Sequence, residues 1–427
     1  MKRTIAFGGL VATAGLLAAG LAVPAQAAND VASDPLSASG IAAKNVAALW
    51  LSENAANLIA ATPYNVETKA AVKHLSKGGP APDSKPGIVP AIGDEKKTAA
   101  KSKNVNLPKT TGKVFFSDGV KWEKGADNKW HLKAVNPHWC SATSVQSAYH
   151  NLVATAGHCV YDTESNKATL NNWVFIPGYY QGKTPWGIYV GKTAYTHYDY
   201  DVYEDGDRDY AFVTVYNGLK LPAGGLKDLS DLVAAHKWDE LAQYQGYKEV
   251  DQATYDAYVR GGFYKPGFGY YTKVEGGKTH YFVFKYADAG RLGDNVGGQG
   301  LAYNQKIGQP VFVFGYPSGS HPDGNHAFSG QTLKWSYGKT FAATAPAIKA
   351  EELQGVKSSF TGEGSLGSAW LLKYNNGRRL GYLNGVTIGV SDTDGNDRYD
   401  TSVSPYFDGE LYGVYSAAKS NWSGSIA

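Results

Sequence analysis

Apolar positions in this chain fall into three regimes. Ile5 to Val23 is a continuous run of apolar and small residues behind a basic Met1-Lys2-Arg3 start. Ser39 to Asn57 carries Ile41, Val46, Ala47, Leu49, Trp50 and Leu51 at helical spacing and predicts an amphipathic helix. From about Thr111 the pattern shortens. Lys113-Val114-Phe115-Phe116, Trp173-Val174-Phe175-Ile176, Ala211 to Val215, Val311 to Phe314 and Arg379 to Thr387 are short apolar or alternating runs between turn signals. That spacing predicts an all-β sandwich or barrel domain. One run, Asn151 to Cys159, ends in Thr155-Ala156-Gly157-His158-Cys159. It predicts a buried strand that stops at a short turn and presents an imidazole at the edge of a core. A general base needs that placement, held by rigid packing with one ring nitrogen open. Cys159 can tether the turn, and Cys140 is its only possible partner because the chain has two cysteines.

Composition adds the organisation around this body. Ala25-Gln26-Ala27 after the first apolar run is a small-x-small cleavage site, so residues 1–27 read as a secretory signal peptide cut after Ala27. No later stretch is long and apolar enough to span a bilayer, so the mature protein is expected to be soluble, secreted and extracellular, without a membrane partner. That compartment permits a disulfide, and closing a loop of this length contributes about 3 kcal/mol in the chain-entropy model. Residues 28–110 are rich in Ala, Lys, Ser and Pro, and Lys77 to Lys109 reads as a linker. Composition leaves two readings open there: a pro-segment that is removed or acts on folding, or a disordered linker. Nine of the 10 tryptophans and most of the 30 tyrosines lie beyond Thr111, which marks 111–427 as the folded body. The formal net charge is only +3 and no basic stripe is present, which excludes nucleic acid as the expected partner.

A family resemblance rests on the motifs. Ala154-Thr155-Ala156-Gly157-His158-Cys159 resembles the histidine motif of chymotrypsin-like serine endopeptidases, and Cys140 to Val145 resembles the strand that carries the paired cysteine. Asp207-Arg208-Asp209-Tyr210-Ala211-Phe212-Val213 resembles the aspartate motif, with Asp209 the acid that would orient His158. Gly297 to Gln305 and Val313-Phe314-Gly315-Tyr316-Pro317 look like secreted actinobacterial members of the group. Gly381 to Thr387 resembles the strand that lines the specificity pocket. The resemblance covers about residues 111–236 and 292–418. It implies a chymotrypsin-like double β-barrel, a Cys140–Cys159 disulfide, a polypeptide substrate or ligand, a monomer, and no cofactor or metal. The tyrosine-rich stretch of about 237–291 has no counterpart in the family and reads as an insertion, either a recognition surface or a padding hairpin.

The nucleophile motif departs from the family pattern. The family has Gly-Asp/Asn-Ser-Gly-Gly/Ser-Pro, often followed by Trp; this chain has Thr361-Gly362-Glu363-Gly364-Ser365-Leu366-Gly367-Ser368-Ala369-Trp370. Anchored on Thr361-Gly362, the nucleophile is Ser365, with Gly364 in the oxyanion loop and one residue inserted before Trp370. Anchored on Gly367-Ser368-Ala369-Trp370, Leu366 fills the slot without a gap, and Gly367 supplies the tight turn that follows it. Ser365 would then be displaced by about 3.8 Å along the chain, where about 1 Å of misplacement can cost roughly a hundredfold. Three functions follow: a protease homologue that retains His158 and Asp209 without a nucleophile, an active endopeptidase using Ser365, or a protease-derived binding protein. Asp392 to Asp397 lacks the distal Glu of a calcium loop and reads as a surface turn, and Asp201, Glu204, Asp205 and Asp207 read as surface charges.

Overall fold

The computed structural model describes residues 30–51, 55–64, 86–92, 105–162, 169–222, 224–261 and 269–427. Residues 1–27, expected to be a signal peptide, and most of the stretch from Lys77 to Lys109 lie outside these residues. Among the described residues no helix is long and apolar enough to cross a membrane.

Six antiparallel strands close the first barrel. They are β1 (Thr111–Ser117), β2 (His138–Val145), β3 (Leu152–Thr155), β4 (Asn171–Pro177), β5 (Tyr189–His197) and β6 (Ala211–Val215). The order around the barrel is β5-β6-β3-β2-β1-β4, and β4 returns to β5 through the pairs Tyr189–Phe175 and Val190–Val174. Closure leaves no free edge within this ring. The apolar runs at 113–116, 152–155, 173–176 and 211–215 fall in its strands, and Trp173, Phe175, Tyr189 and Phe212 are buried in its core.

Nine further strands build the second barrel. One sheet contains β7 (Gly300–Tyr303), β8 (Pro310–Gly315), β9 (Lys334–Lys339), β12 (Ala369–Asn375) and β13 (Leu380–Val386), in the order β9-β8-β12-β13-β7. The other contains β10 (Phe341–Ala345), β11 (Ala350–Lys357), β14 (Gly389–Ser391) and β15 (Thr401–Pro405), in the order β10-β11-β15-β14. Val311, Val313 and Trp370 from the first sheet pack with Val356 from the second. A C-terminal helix, Gly409–Ala418, is capped by Asp408, whose carboxylate accepts the N–H groups of Glu410 and Leu411 at 3.0 Å each. It packs on the first barrel through Tyr415 against Phe212. The architecture is the all-β, chymotrypsin-like double β-barrel.

The segment before Thr111 is woven into this body. Val31–Pro35 pairs antiparallel with β5, Thr62–Pro63 pairs parallel with β2, and Gly87–Val89 pairs antiparallel with β7, so the leader adds two strands to the first barrel and one to the second. Helix Gly40–Leu51 is followed by a second helix, Ala56–Ala60, where the spacing predicts a single helix from Ser39 to Asn57. The first helix is buried nearly all round rather than along one stripe, Lys44 and Asn45 included. Its two neighbours explain this. On one side Trp50 packs against Phe115 and donates to the Asn172 carbonyl at 2.6 Å. On the other, Asn45 donates to the Gly261 carbonyl at 3.4 Å and Lys44 to the Tyr258 hydroxyl. Burial, with the nearby Lys285 charge, pulls the Lys44 ammonium down to about 8.

The tyrosine-rich stretch forms its own three-stranded sheet from Gln245–Val250, Lys278–Tyr286 and Tyr270–Glu275, which shares no ladder with either barrel. Asp207, read above as a surface charge, is part-buried instead. Its carboxylate accepts the N–H groups of Glu351 and Glu352 at 2.9 and 2.7 Å and ties the first barrel to β11. The reason is local: two adjacent N–H groups at the start of a strand need an acceptor, and Asp207 supplies both oxygens.

Because Trp50 is wholly buried, Trp50→Ala is expected to destabilise the chain by about 3–5 kcal/mol in urea unfolding. An unchanged midpoint would show that the leader is not part of the cooperative fold.

Candidate active site

Strand pairing places the site. β3 and β6 are paired so that Thr155 faces Ala211. His158 lies just beyond the first and Asp209 just before the second, so two residues 51 apart in sequence meet at one end of the barrel. The turn is a single 3-10 turn, Gly157–Cys159. Glycine is required at its first position, since a Cβ there would meet Tyr200 at 2.5 Å and Asp209 Oδ1 at 2.9 Å.

Asp209 holds this turn twice. Its Oδ1 accepts the backbone N–H of His158 at 2.9 Å, and its Oδ2 lies 2.6 Å from His158 Nδ1. A carboxylate can only accept, so Nδ1 carries the proton and Nε2 is the basic nitrogen. Cys140 and Cys159 are disulfide-bonded, and Trp173 Nε1 donates to the Cys159 carbonyl at 3.1 Å. Tyr200 packs beneath the pair and hydrogen-bonds Asp209; burial, then the Asp209 charge, holds its phenol well above the usual range. Nothing in the local sequence around Tyr200 marks it for this place. The Asp209 motif and Cys140 did carry a signal, and the structure brings both to His158.

His158 Nε2 is buried and accepts no hydrogen bond among the described residues. The ring of Tyr64, from the leader, stacks on the imidazole with centroids 5.9 Å apart and planes 29° apart. The Tyr64 N–H donates to the Trp139 carbonyl at 2.9 Å, and its own carbonyl accepts the Gly364 N–H at 3.0 Å. The donor expected to serve an oxyanion is therefore occupied by the leader. No sequence signal marks Tyr64, which sits in a segment almost free of aromatic residues.

The loop from Gly362 to Ala369 places its hydroxyls elsewhere. Ser365 is fully buried, and its hydroxyl donates to the Gly362 carbonyl at 3.2 Å. The Ser368 hydroxyl donates to the Ser365 carbonyl. Neither bonds His158. Leu366 is fully buried in the main core, and its carbonyl accepts the Ser141 N–H at 2.8 Å. Gly367, at φ +80°, fits where a Cβ would meet the Ser141 carbonyl oxygen at 2.0 Å, and its N–H donates to Thr387 O at 2.7 Å. The close-approach glycine thus follows Leu366, and Thr387, just past the end of β13, abuts it. Gly364, at φ +73°, is equally constrained, because a Cβ would meet the Trp139 ring at 2.2 Å.

Among the described residues no group of three His, Cys, Asp or Glu side chains converges to hold a metal. In the Asp392 to Asp397 turn, the Asp392 carboxylate is taken up by the N–H groups of Gly395, Asn396 and Asp397.

No family model matches the chain, and no curated protein matches it. Solved structures do. The protease Anisep from Arthrobacter nicotinovorans is 22% identical, with a TM-score of 0.44, over 74% of this chain and 98% of that one. A thermostable serine protease, AL20, from an extremophilic microorganism is 21% identical, with a TM-score of 0.44, over 73% and 98%. A Glu endopeptidase is 14% identical, with a TM-score of 0.40, over 75% and 95%. The fold described above rests on the strand pairing of this chain itself.

If Tyr64 covers the imidazole, Tyr64→Ala should speed modification of His158 by diethyl pyrocarbonate several-fold, read by peptide mass mapping. The more open His150 serves as reference and should not change. Equal His158 rates in the two proteins would show that the stacked ring gives no protection.

Proposed function

We propose that this chain is a secreted trypsin-like serine protease homologue that keeps the base and its orienting acid but does not cleave peptide bonds. The observation that carries the reading is that, among the described residues, no hydroxyl bonds His158 Nε2: Ser365 bonds the Gly362 carbonyl instead, and Leu366 precedes the close-approach glycine. Acyl transfer needs an oxygen within hydrogen-bond reach of the base. Losing it costs on the order of a millionfold in a comparable hydrolase. The occupied Gly364 N–H and the stacked Tyr64 ring support the same conclusion, since both the oxyanion donor and the base are covered by residues of the same chain. In this reading residues 62–64 stand where a polypeptide ligand would lie, residues 28–110 act as a retained leader, and the stretch of about 237–291 is an addition to the family core.

A fluorophosphonate probe tests this directly. Neither the wild-type chain nor Tyr64→Ala should be labelled, and Ser365→Ala should change nothing. Leu366→Ser in the Tyr64→Ala background should gain labelling. Stoichiometric labelling of the wild type that Ser365→Ala abolishes, together with peptide cleavage, would make the protein a working endopeptidase and sink the proposal.

A further inference from the structure

A buried lysine beside the cleft has no role in the site just described. Lys113, on β1, is 1% exposed. Its ammonium lies 3.4 Å from the ring centroid of Trp139, 4.4 Å from Tyr179, 5.7 Å from Tyr316 and 6.0 Å from Phe115. Among the described residues it makes no ion pair and no hydrogen bond. Ring faces attract the ammonium but offer its three N–H groups no lone pair, so its hydrogen-bonding capacity stays unfilled among the described residues. Burial accordingly holds the Lys113 ammonium well below the ordinary lysine range. The charge is only part-compensated, and it faces space: Lys113 lines a cavity of about 710 Å³ between the first barrel and the leader helix Ala56–Ala60.

The walls of that cavity are specific. Trp139, Tyr179 and Leu58 supply apolar surface, and Gln181 and Gln331 supply amides. Gln331 is oriented, because its Oε1 accepts the Tyr179 hydroxyl at 3.2 Å and its backbone carbonyl accepts the Gln181 N–H at 2.8 Å. Its amide nitrogen is left as a donor. Lys183 and Asp228 also border the cavity, and the Asp228 carboxylate accepts the Gly224 N–H at 2.9 Å, so the lining charge is net positive.

We propose that this cavity binds a monocarboxylate with an apolar or aromatic body, its carboxylate on Lys113 Nζ and the Gln331 amide and its body between Trp139, Tyr179 and Leu58. A carboxylate supplies what the cage lacks, a charge-assisted partner for the ammonium. The volume admits more than a simple anion; it is in the range of small-molecule pockets. The inference does not depend on whether the chain cleaves peptides.

The full-length protein is titrated calorimetrically with 3-phenylpropionate, hexanoate and N-acetylphenylalanine, and with the matching alcohols or amide. At least one acid should bind about tenfold or more tighter than its neutral counterpart, the difference one charge-assisted hydrogen bond makes. A preference for N-acetylphenylalanine points to a peptide C-terminus, and a preference for the simple acids to a small aryl or alkyl acid. Lys113→Met should remove the preference while keeping or raising the melting temperature, since an apolar isostere relieves an uncompensated buried charge. Carbodiimide treatment with the bound acid should form an amide at Lys113, mapped by mass spectrometry, which keeps the test open should the variant fail to fold. Binding of no acid, equal binding of acids and alcohols, or an undiminished preference in Lys113→Met would overturn the proposal.

Discussion

Both oxygens of one carboxylate hold one residue, and the rest of the site follows from that clamp. Asp209 takes the backbone N–H and the ring Nδ1 of His158. It can do so only because β3 and β6 pair in a register that ends both strands at the same level, and because Gly157 leaves room for Tyr200 and the carboxylate together. Each of these groups is buried, so each unmade bond would carry a desolvation penalty of about 1–3 kcal/mol. The pair is therefore part of the barrel's structure, whatever chemistry it serves. The imidazole is held by groups that stabilise the fold, whereas the nearby Ser365 and Ser368 hydroxyls turn to backbone carbonyls of their own loop and Leu366 joins the core.

The leader changes how the cleft is understood. Its composition is poor in large apolar residues, yet three side chains tie it firmly to the body. Trp50 enters the outer face of β1, Asn57 bonds the carbonyls of Leu49 and Leu132 and the N–H of Ala134, and Tyr64 reaches the imidazole. These contacts explain why β1 is buried along its whole length and reads as continuous rather than alternating. Ala55, Leu58, Ile59 and Ala61 of the same segment line the cavity that holds Lys113. The indole of Trp139 joins the two places, with Lys113 over its ring and Gly364 pressed against it.

The first barrel was readable because its strands are short, apolar and bounded by turn residues, and because the His158 turn combines glycine, imidazole and cysteine in a pattern few other structures need. Asp209 was readable as an acid before a buried strand. The cysteine pairing followed from there being only two. Other residues were opaque for physical reasons. Tyr64 and Trp50 are isolated aromatics in a Lys- and Ala-rich segment, and periodicity cannot say that such a segment will be covered on both sides. Asp207 looks like any loop acid until β11 brings it two N–H groups from a residue pair more than 140 positions away. Lys113 sits in an apolar run where a lysine reads as an edge or a solvent-facing position; only the register of β1 with β2 and the arrival of Tyr316 enclose it. The nucleophile loop was half readable: the one-residue excess between Thr361 and Trp370 was visible, but which residue absorbs it depends on Ser141, Thr155 and Thr387, all distant in sequence.

The leader's first and last described strands lie on different barrels, Val31–Pro35 on the first and Gly87–Val89 on the second. A protease that nicked the backbone anywhere between residues 64 and 87 would leave two pieces, each still hydrogen-bonded into its own sheet. Scission and release are thus separate events in this molecule. A cleaved leader would persist as a non-covalent subunit, identical in outline to the intact chain, and would depart only when a barrel edge opened.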